Sequence, residues 1–234
     1  MQDRFAGDIG DFGKLGLLRA LARPPLRLGI LWYRTPDGVS GGDNRDFLER
    51  PERYRSCDPV LFDALTTFHQ GQRRITRISS LPILPPGTLC IDDPVPPPAF
   101  RDAWLREALF TLRSCDLVFF DPDNGLAPRS VPRSRNAACH YVYPEEMDMV
   151  HRNGQSLLIY HHLSRREPAE AQLLGWLSLL GRGSLAFRFH RGSPRAFFLI
   201  PSSAHERILD RYARAFLEGP WKRHFTLCRR PENP

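Results

Sequence analysis

The chain is predicted to fold as a single α/β domain on a mostly parallel central sheet, with helices on both faces and an antiparallel hairpin at one edge. Three observations lead there. Short apolar runs alternate with helix-period segments along the 234 residues, as strand–helix–strand units require. Two runs, Leu117-Val118-Phe119-Phe120 and Ser156-Leu157-Leu158-Ile159-Tyr160, are almost wholly apolar, as strands covered on both faces are. Two more, at 185–189 and 196–200, flank the tight Arg191-Gly192-Ser193-Pro194 segment, a hairpin signal.

Residues 11–23 read as a helix: Leu15, Leu17, Leu18 and Leu21 make one apolar face, Asp11 can cap the start, and Pro24-Pro25 stops it. Residues 27–33 read as a strand, followed by a polar loop. Asp58-Pro59 opens a helix to about 69, with Asp as cap and Pro at the first helical position. Residues 74–78 read as a short strand, 88–91 as another, and 94–98 as an irregular proline connector. A helix is expected over 101–113, the strand over 117–120, a short helix over 144–151 and the strand over 156–160. Capping-box patterns at Ser164–Glu167 and Ser203–Glu206 open helices to about 180 and 216. The Trp221-Lys222-Arg223-His224-Phe225 tail reads as a helix end with its aromatics packed inward. No repeat and no linker divides residues 1–234, so one domain is expected.

Composition narrows the function classes. Apolar content of 41% and charged content of 25% describe a globular chain. No apolar run approaches membrane-spanning length, and the N-terminus lacks a signal-peptide core, so a cytoplasmic protein without a membrane partner is expected. Cys57, Cys90, Cys115, Cys139 and Cys228 are widely spaced without C-x-x-C, which argues against a disulfide framework and a zinc ribbon. The net charge is +7, carried almost entirely by arginine, and fits an anionic partner such as nucleic acid. Walker A, G-x-G-x-x-G and G-x-S-x-G motifs are all missing from the sequence.

In an open α/β sheet, ligands bind beyond the carboxyl ends of the parallel strands. Asp121-Pro122-Asp123-Asn124-Gly125 follows one inner strand directly, and His161-His162 follows the next. The loop with Asp37, Gly38, Gly41, Gly42, Asp43 and Asn44 leaves the first strand toward the same edge. Two readings of the Asp-Pro-Asp-Asn-Gly motif stay open: a turn built from residues that bond their own backbone, and an active site. Convergence of three such loops favours the site, with Asp121, Asp123, Asn124 and His161 as candidate catalytic residues. Arg129, Arg133 and Arg135 on the next loop are candidates for nucleic-acid phosphates, with a solvated loop as the equal alternative.

The chain resembles the ribosomal RNA adenine-N6 methyltransferases of the RlmJ type, a Rossmann-like fold. That family opens with A-G-N-x-x-D-x-x-K, and here Ala6-Gly7-Asp8-Ile9-Gly10-Asp11-Phe12-Gly13-Lys14 stands in that place. Its D-P-P-Y motif is matched by Asp121-Pro122-Asp123-Asn124 after the corresponding strand. The order of elements is similar over most of the chain, while the specific likeness is confined to residues 6–14 and 117–125. The resemblance implies a methyltransferase-like fold, S-adenosylmethionine as cofactor and RNA modification as activity. By resemblance Gly7, Asp8 and Lys14 face the donor, Asp121 accepts from the nucleophile's N–H, and the loop with Asp37, Gly38 and Gly41 covers the donor. Two departures stand out. Trp32-Tyr33-Arg34 and a Gly-Val-Ser-Gly-Gly loop replace the family's acidic residue and G-x-G loop, and Asn124 cannot stack on a base as the family's tyrosine does.

Two further function classes remain. A phosphodiesterase or nucleotide hydrolase would use Asp121, Asp123 and His161 or His162 to hold Mg²⁺ or Mn²⁺. A non-catalytic nucleic-acid-binding module would keep the fold without the donor.

Overall fold

The structure, a computed structural model, describes residues 1–38 and 44–230. After a 3-10 turn at Asp3–Phe5, the elements run α1 (Ile9–Leu21), β1 (Leu28–Leu31), α2 (Pro51–Tyr54), α3 (Pro59–Phe68), α4 (Ile75–Ser79), β2 (Leu89–Ile91), α5 (Arg101–Thr111), β3 (Leu117–Phe120), β4 (Gly125–Leu126), β5 (Tyr141–Val142), α6 (Pro144–Arg152), β6 (Ser156–His162), α7 (Ala169–Leu180), β7 (Leu185–Phe189), β8 (Arg195–Ile200), α8 (Glu206–Glu218) and β9 (Phe225–Arg229).

Seven strands form one sheet in the order β2-β1-β3-β6-β8-β7-β9. β2, β1, β3 and β6 are parallel, with Leu117 opposite Ser156 and Phe120 opposite Ile159. β8 is antiparallel to β6, and β7 is antiparallel to β8, so β7 runs with the parallel set again. The sheet is therefore mostly parallel, and the hairpin β7–β8 belongs to its antiparallel end, where β9 adds a further strand outside β7. The chain order reverses between β1 and β3. Such a reversal opens a crevice at the strands' carboxyl ends.

Alternation along the strands sorts the core into two layers. Ile30, Phe119, Leu158, Phe187 and Phe197 pack against α1, α3 and α8. Leu31, Phe120, Ile159, Ala186 and Phe198 pack against α5, α6 and α7. These strand side chains are fully buried, and each large one is worth roughly 1.5–3 kcal/mol of transfer free energy. On the first layer α1 lies close to the sheet because Gly13 has no side chain: a Cβ there would sit 2.7 Å from the Phe189 ring.

Several elements differ from expectation, each for a local reason. Residues 74–78 are not a strand: Ile75 and Ile78 are buried three apart, a helical period, and form α4. Asp8, not Asp11, caps α1, accepting from the Asp11 N–H at 2.9 Å. Ser164 does not open a helix. Its hydroxyl accepts from Arg166 N–H in a local turn, and α7 starts only after Pro168. The Ser203–Glu206 pattern is likewise out of step with α8, which begins at Glu206 with His205 at the cap position and no side-chain cap bond. The tail is partly a strand: Trp221 and Phe225 do pack inward, and Phe225–Arg229 pairs with β7. Among the described residues, no helix is long and apolar enough to cross a membrane.

Candidate active site

Asp121 stands at the carboxyl end of β3, on the sheet face that carries Phe119, and meets Lys14 from α1. Lys14 Nζ lies 2.7 Å from Asp121 Oδ2 and 2.7 Å from Asp11 Oδ1. Asp11 Oδ2 accepts from Gly7 N–H at 2.7 Å, so one carboxylate ties the lysine to the turn before α1. The rings of Trp32 and Tyr160 lie 5.4 and 5.7 Å from the ammonium, within cation–π range. Burial opposes charge on Lys14, but Asp11 and Asp121 outweigh it and hold its pKa above the usual lysine range. Asp121 behaves differently. Burial pushes its carboxyl up to about 6 against the pull of Lys14 and of the Met1 ammonium. Among the described residues no donor bonds its Oδ1.

Asp123 collects donors. Its Oδ1 pairs with the Met1 ammonium at 2.9 Å, and its Oδ2 accepts from Thr35 Oγ1 at 2.6 Å and lies 2.7 Å from His140 Nδ1. Burial alone would raise its pKa; His140, the ammonium and Thr35 hold it below the usual carboxylate range instead. The Met1 ammonium also donates to Tyr33 O at 2.7 Å, closing the ends of β1 and β3 together. Tyr33 has a φ of 44°, rare for a residue with a side chain and a local strain at the crevice.

His161 does not join these carboxylates. β6 runs on through His162, so its side chains keep alternating. Tyr160 points to the Lys14 side, while His161 packs on Trp176 and Phe198 in the opposite layer, 5.4 and 5.5 Å between centroids. His161 Nδ1 accepts from Leu126 N–H at 3.1 Å, and burial depresses its pKa to about 4. Gly125 allows this approach: its φ is +102°, and a Cβ there would lie 2.6 Å from His161 Cα. The alternative metal set Asp121, Asp123, His161 and His162 is consequently not assembled. Among the described residues, no group of three or more His, Cys, Asp or Glu is placed to hold a metal ion.

The residues assigned to the donor divide. Gly7, Asp8 and Lys14 are buried, and their polar atoms are engaged within the protein. Asp37 and Gly38 are exposed at the rim, pinned to the N-terminal turn through Arg4 N–H to Asp37 Oδ1 at 3.2 Å and Gly38 N–H to Gln2 Oε1 at 3.0 Å. Gly41, with Gly42 and Asp43, lies outside the described residues. Of the loop arginines, Arg129 and Arg135 are exposed. Arg133 is spent on the protein itself, pairing with Asp102 at 2.5 Å and Glu146 at 3.1 Å.

Two features were not expected from the sequence. His140 reaches Asp123 from a loop with no motif to mark it. Arg101 and Glu146 form a fully buried ion pair at 2.6 Å. The Arg101 fork also donates to Ala138 O and Tyr141 O, and Glu146 accepts from Tyr33 Oη and Tyr143 N. This network clamps the segment that carries His140 against the end of β1. Its parts are dispersed along the chain, so only the fold brings them into view.

No family model and no curated protein matches the chain. Among solved structures, human methyltransferase-like protein 13 in complex with SAH covers 90% of this chain and 90% of its own, at 13% identity and a TM-score of 0.28. A superposition that loose leaves the activity to be argued from this chain's own geometry.

Proposed function

We propose that the chain is an S-adenosylmethionine-dependent methyltransferase acting on nucleic acid. One observation carries the reading. The two segments that resemble the amino-methyltransferases, residues 6–14 and 117–125, meet directly through the Lys14–Asp121 pair, 107 residues apart in sequence. They meet at the β1/β3 reversal, where α/β sheets bind their ligands.

In this reading Gly7, Asp8 and Lys14 would back the donor from the α1 side, and the exposed Asp37 and Gly38 would flank it. When bound, the donor supplies an electrophilic methyl group. Asp121 Oδ1 accepts the hydrogen bond of an attacking amine or hydroxyl and orients its lone pair. With a pKa near 6, this carboxyl is matched to take the proton that the nucleophile loses. Lys14 fixes the Asp121 rotamer by holding Oδ2. Such alignment supplies much of the rate in a transfer between fixed partners. Arg129 and Arg135, with the net charge of +7, favour a polyanion as acceptor.

The test is transfer of a labelled methyl group from S-adenosylmethionine to total RNA and to genomic DNA. The wild type should label one of them, and Asp121→Asn should lower the rate ~10²-fold or more, as loss of a positioned proton acceptor does. Equal labelling by both proteins would remove Asp121 from the chemistry.

A further inference from the structure

A cavity of about 590 Å³ opens beside Asn124, on the opposite face of the sheet from Lys14. This volume is typical of small-molecule sites. Its lining includes Asn124, Tyr141, His161, Gly175, Trp176 and Leu179.

His161 is the informative group, since it is only 6% exposed. Its Nδ1 is the acceptor for Leu126 N–H, and burial keeps the ring neutral, so the ring proton sits on Nε2. No group among the described residues accepts from Nε2, the ring nitrogen opposite the Leu126 contact, and His161 lines the cavity. His161 thus offers the cavity an accessible N–H donor that no protein group uses. The Asn124 carboxamide is also without a partner among the described residues. Its backbone does the anchoring, through N–H to His140 O at 2.9 Å and His162 N–H to its own O at 3.0 Å. Gln172 fixes the rim, with three hydrogen bonds to the Ser164 and Glu167 backbone. The walls offer the aromatic surface of Trp176 and Tyr141 and the exposed Leu179. Glu167 is the only carboxylate of the lining, no lysine or arginine belongs to it, and His162 is held below the usual histidine pKa by burial and by Arg195. The cavity therefore suits an uncharged planar ligand rather than a phosphate.

We propose that this cavity binds a neutral nucleobase, carried by a free nucleoside or by a single strand. His161 Nε2–H donates to a ring nitrogen or carbonyl oxygen, the Asn124 carboxamide completes the base edge, and Trp176 and Tyr141 supply stacking surface. Neither Lys14 nor Asp121 lines the cavity, so the site stands whether or not the methyl-transfer reading does.

The experiment titrates the full chain with adenosine, guanosine, cytidine and uridine, and with five-residue single strands of each base, by calorimetry and tryptophan fluorescence. Saturable binding of at least one nucleoside is expected. Much tighter binding of the matching strand would make a nucleic acid the source; equal affinity would make it the free nucleoside. Asn124→Ala should weaken binding tenfold or more. Gly175→Leu should abolish it without unfolding the protein, because a Cβ at Gly175 meets no atom within 4 Å in the folded chain. Circular dichroism and melting check that both variants fold. The proposal is overturned if no probe binds at millimolar concentration, or if binding is untouched by both substitutions. Adenosine binding that S-adenosylhomocysteine displaces and Gly175→Leu leaves alone would also overturn it, by placing the ligand at the donor crevice.

Discussion

Lys14 and Asp121 form an ion pair at 2.7 Å with both side chains almost sealed from water, 4% and 2% exposed. Lys14 and Lys222 are the only lysines in an arginine-rich chain. The choice has a reason here: a compact ammonium can sit between two carboxylates, Asp11 and Asp121, where a planar guanidinium fork would need more room.

Removing that ammonium leaves two buried carboxylates facing each other. Lys14→Met should therefore cost about 3–5 kcal/mol of unfolding free energy, the range for breaking a buried pair from one side. Adding Asp121→Leu should return part of the loss. A double-mutant cycle in urea measures the coupling, and additive losses would show that the pair has no energetic content.

Asp121 and Asp123 should drive stability with opposite signs. The native Asp121 pKa of about 6 lies above its ordinary 3.8, so the folded state binds more protons between those values. Its stabilising contribution is complete below pH 4 and lost as the pH rises through 6. Asp123 is depressed, so its contribution is present above 3.8 and lost as the pH falls below it. Stability curves from pH 3 to 7 check this. Asp121→Asn should gain on the wild type as the pH rises, whereas the deficit of Asp123→Asn should be constant above pH 4 and only begin to shrink toward pH 3.

Gly125→Ala should destabilise by about 2–3 kcal/mol, combining a left-handed backbone with overpacking against His161. Gly154→Ala is the control. Its φ is +74° but its Cβ would meet nothing within 4 Å, so about 1 kcal/mol is expected. Equal losses would mean that contact with His161 does not matter.

Arg101→Lys keeps the charge but loses the fork that holds Glu146, Ala138 and Tyr141 together. A loss of about 2 kcal/mol is expected, as for hydrogen bonds to a charged group. Amide exchange should quicken at Ala138 and Tyr141, while the β3 amides stay protected.

The sheet was readable because its strands are apolar on both faces: 117–120 and 156–160 needed no partner information to stand out as inner neighbours. Asp121 was readable because it follows such a strand directly. What the sequence hid depends on faces and on distance. In sequence His161 and Asp121 both follow inner strands, which points them to one edge. With Phe120 opposite Ile159, Asp121 is level with Tyr160, and His161, one residue further along β6, turns to the other layer. The Asp123–His140 and Arg101–Glu146 contacts join loops and helices by side-chain reach, for which no local pattern exists. The Ser164 pattern opens no helix because Pro168 delays it, and β9 has no local signal because its edge pairing with β7 is a tertiary fact.

Binding of S-adenosylhomocysteine tests for a methyl-donor site at the β1/β3 reversal without knowledge of the acceptor. At a hundredfold excess over Kd one bound ligand adds about 2.7 kcal/mol to stability, or about 5–10 °C in Tm for a chain of this size. The wild type should show such a shift, and Lys14→Met, without the ammonium between Asp11 and Asp121, a smaller one. A melting temperature unmoved by millimolar S-adenosylhomocysteine would contradict a methyl-donor site there.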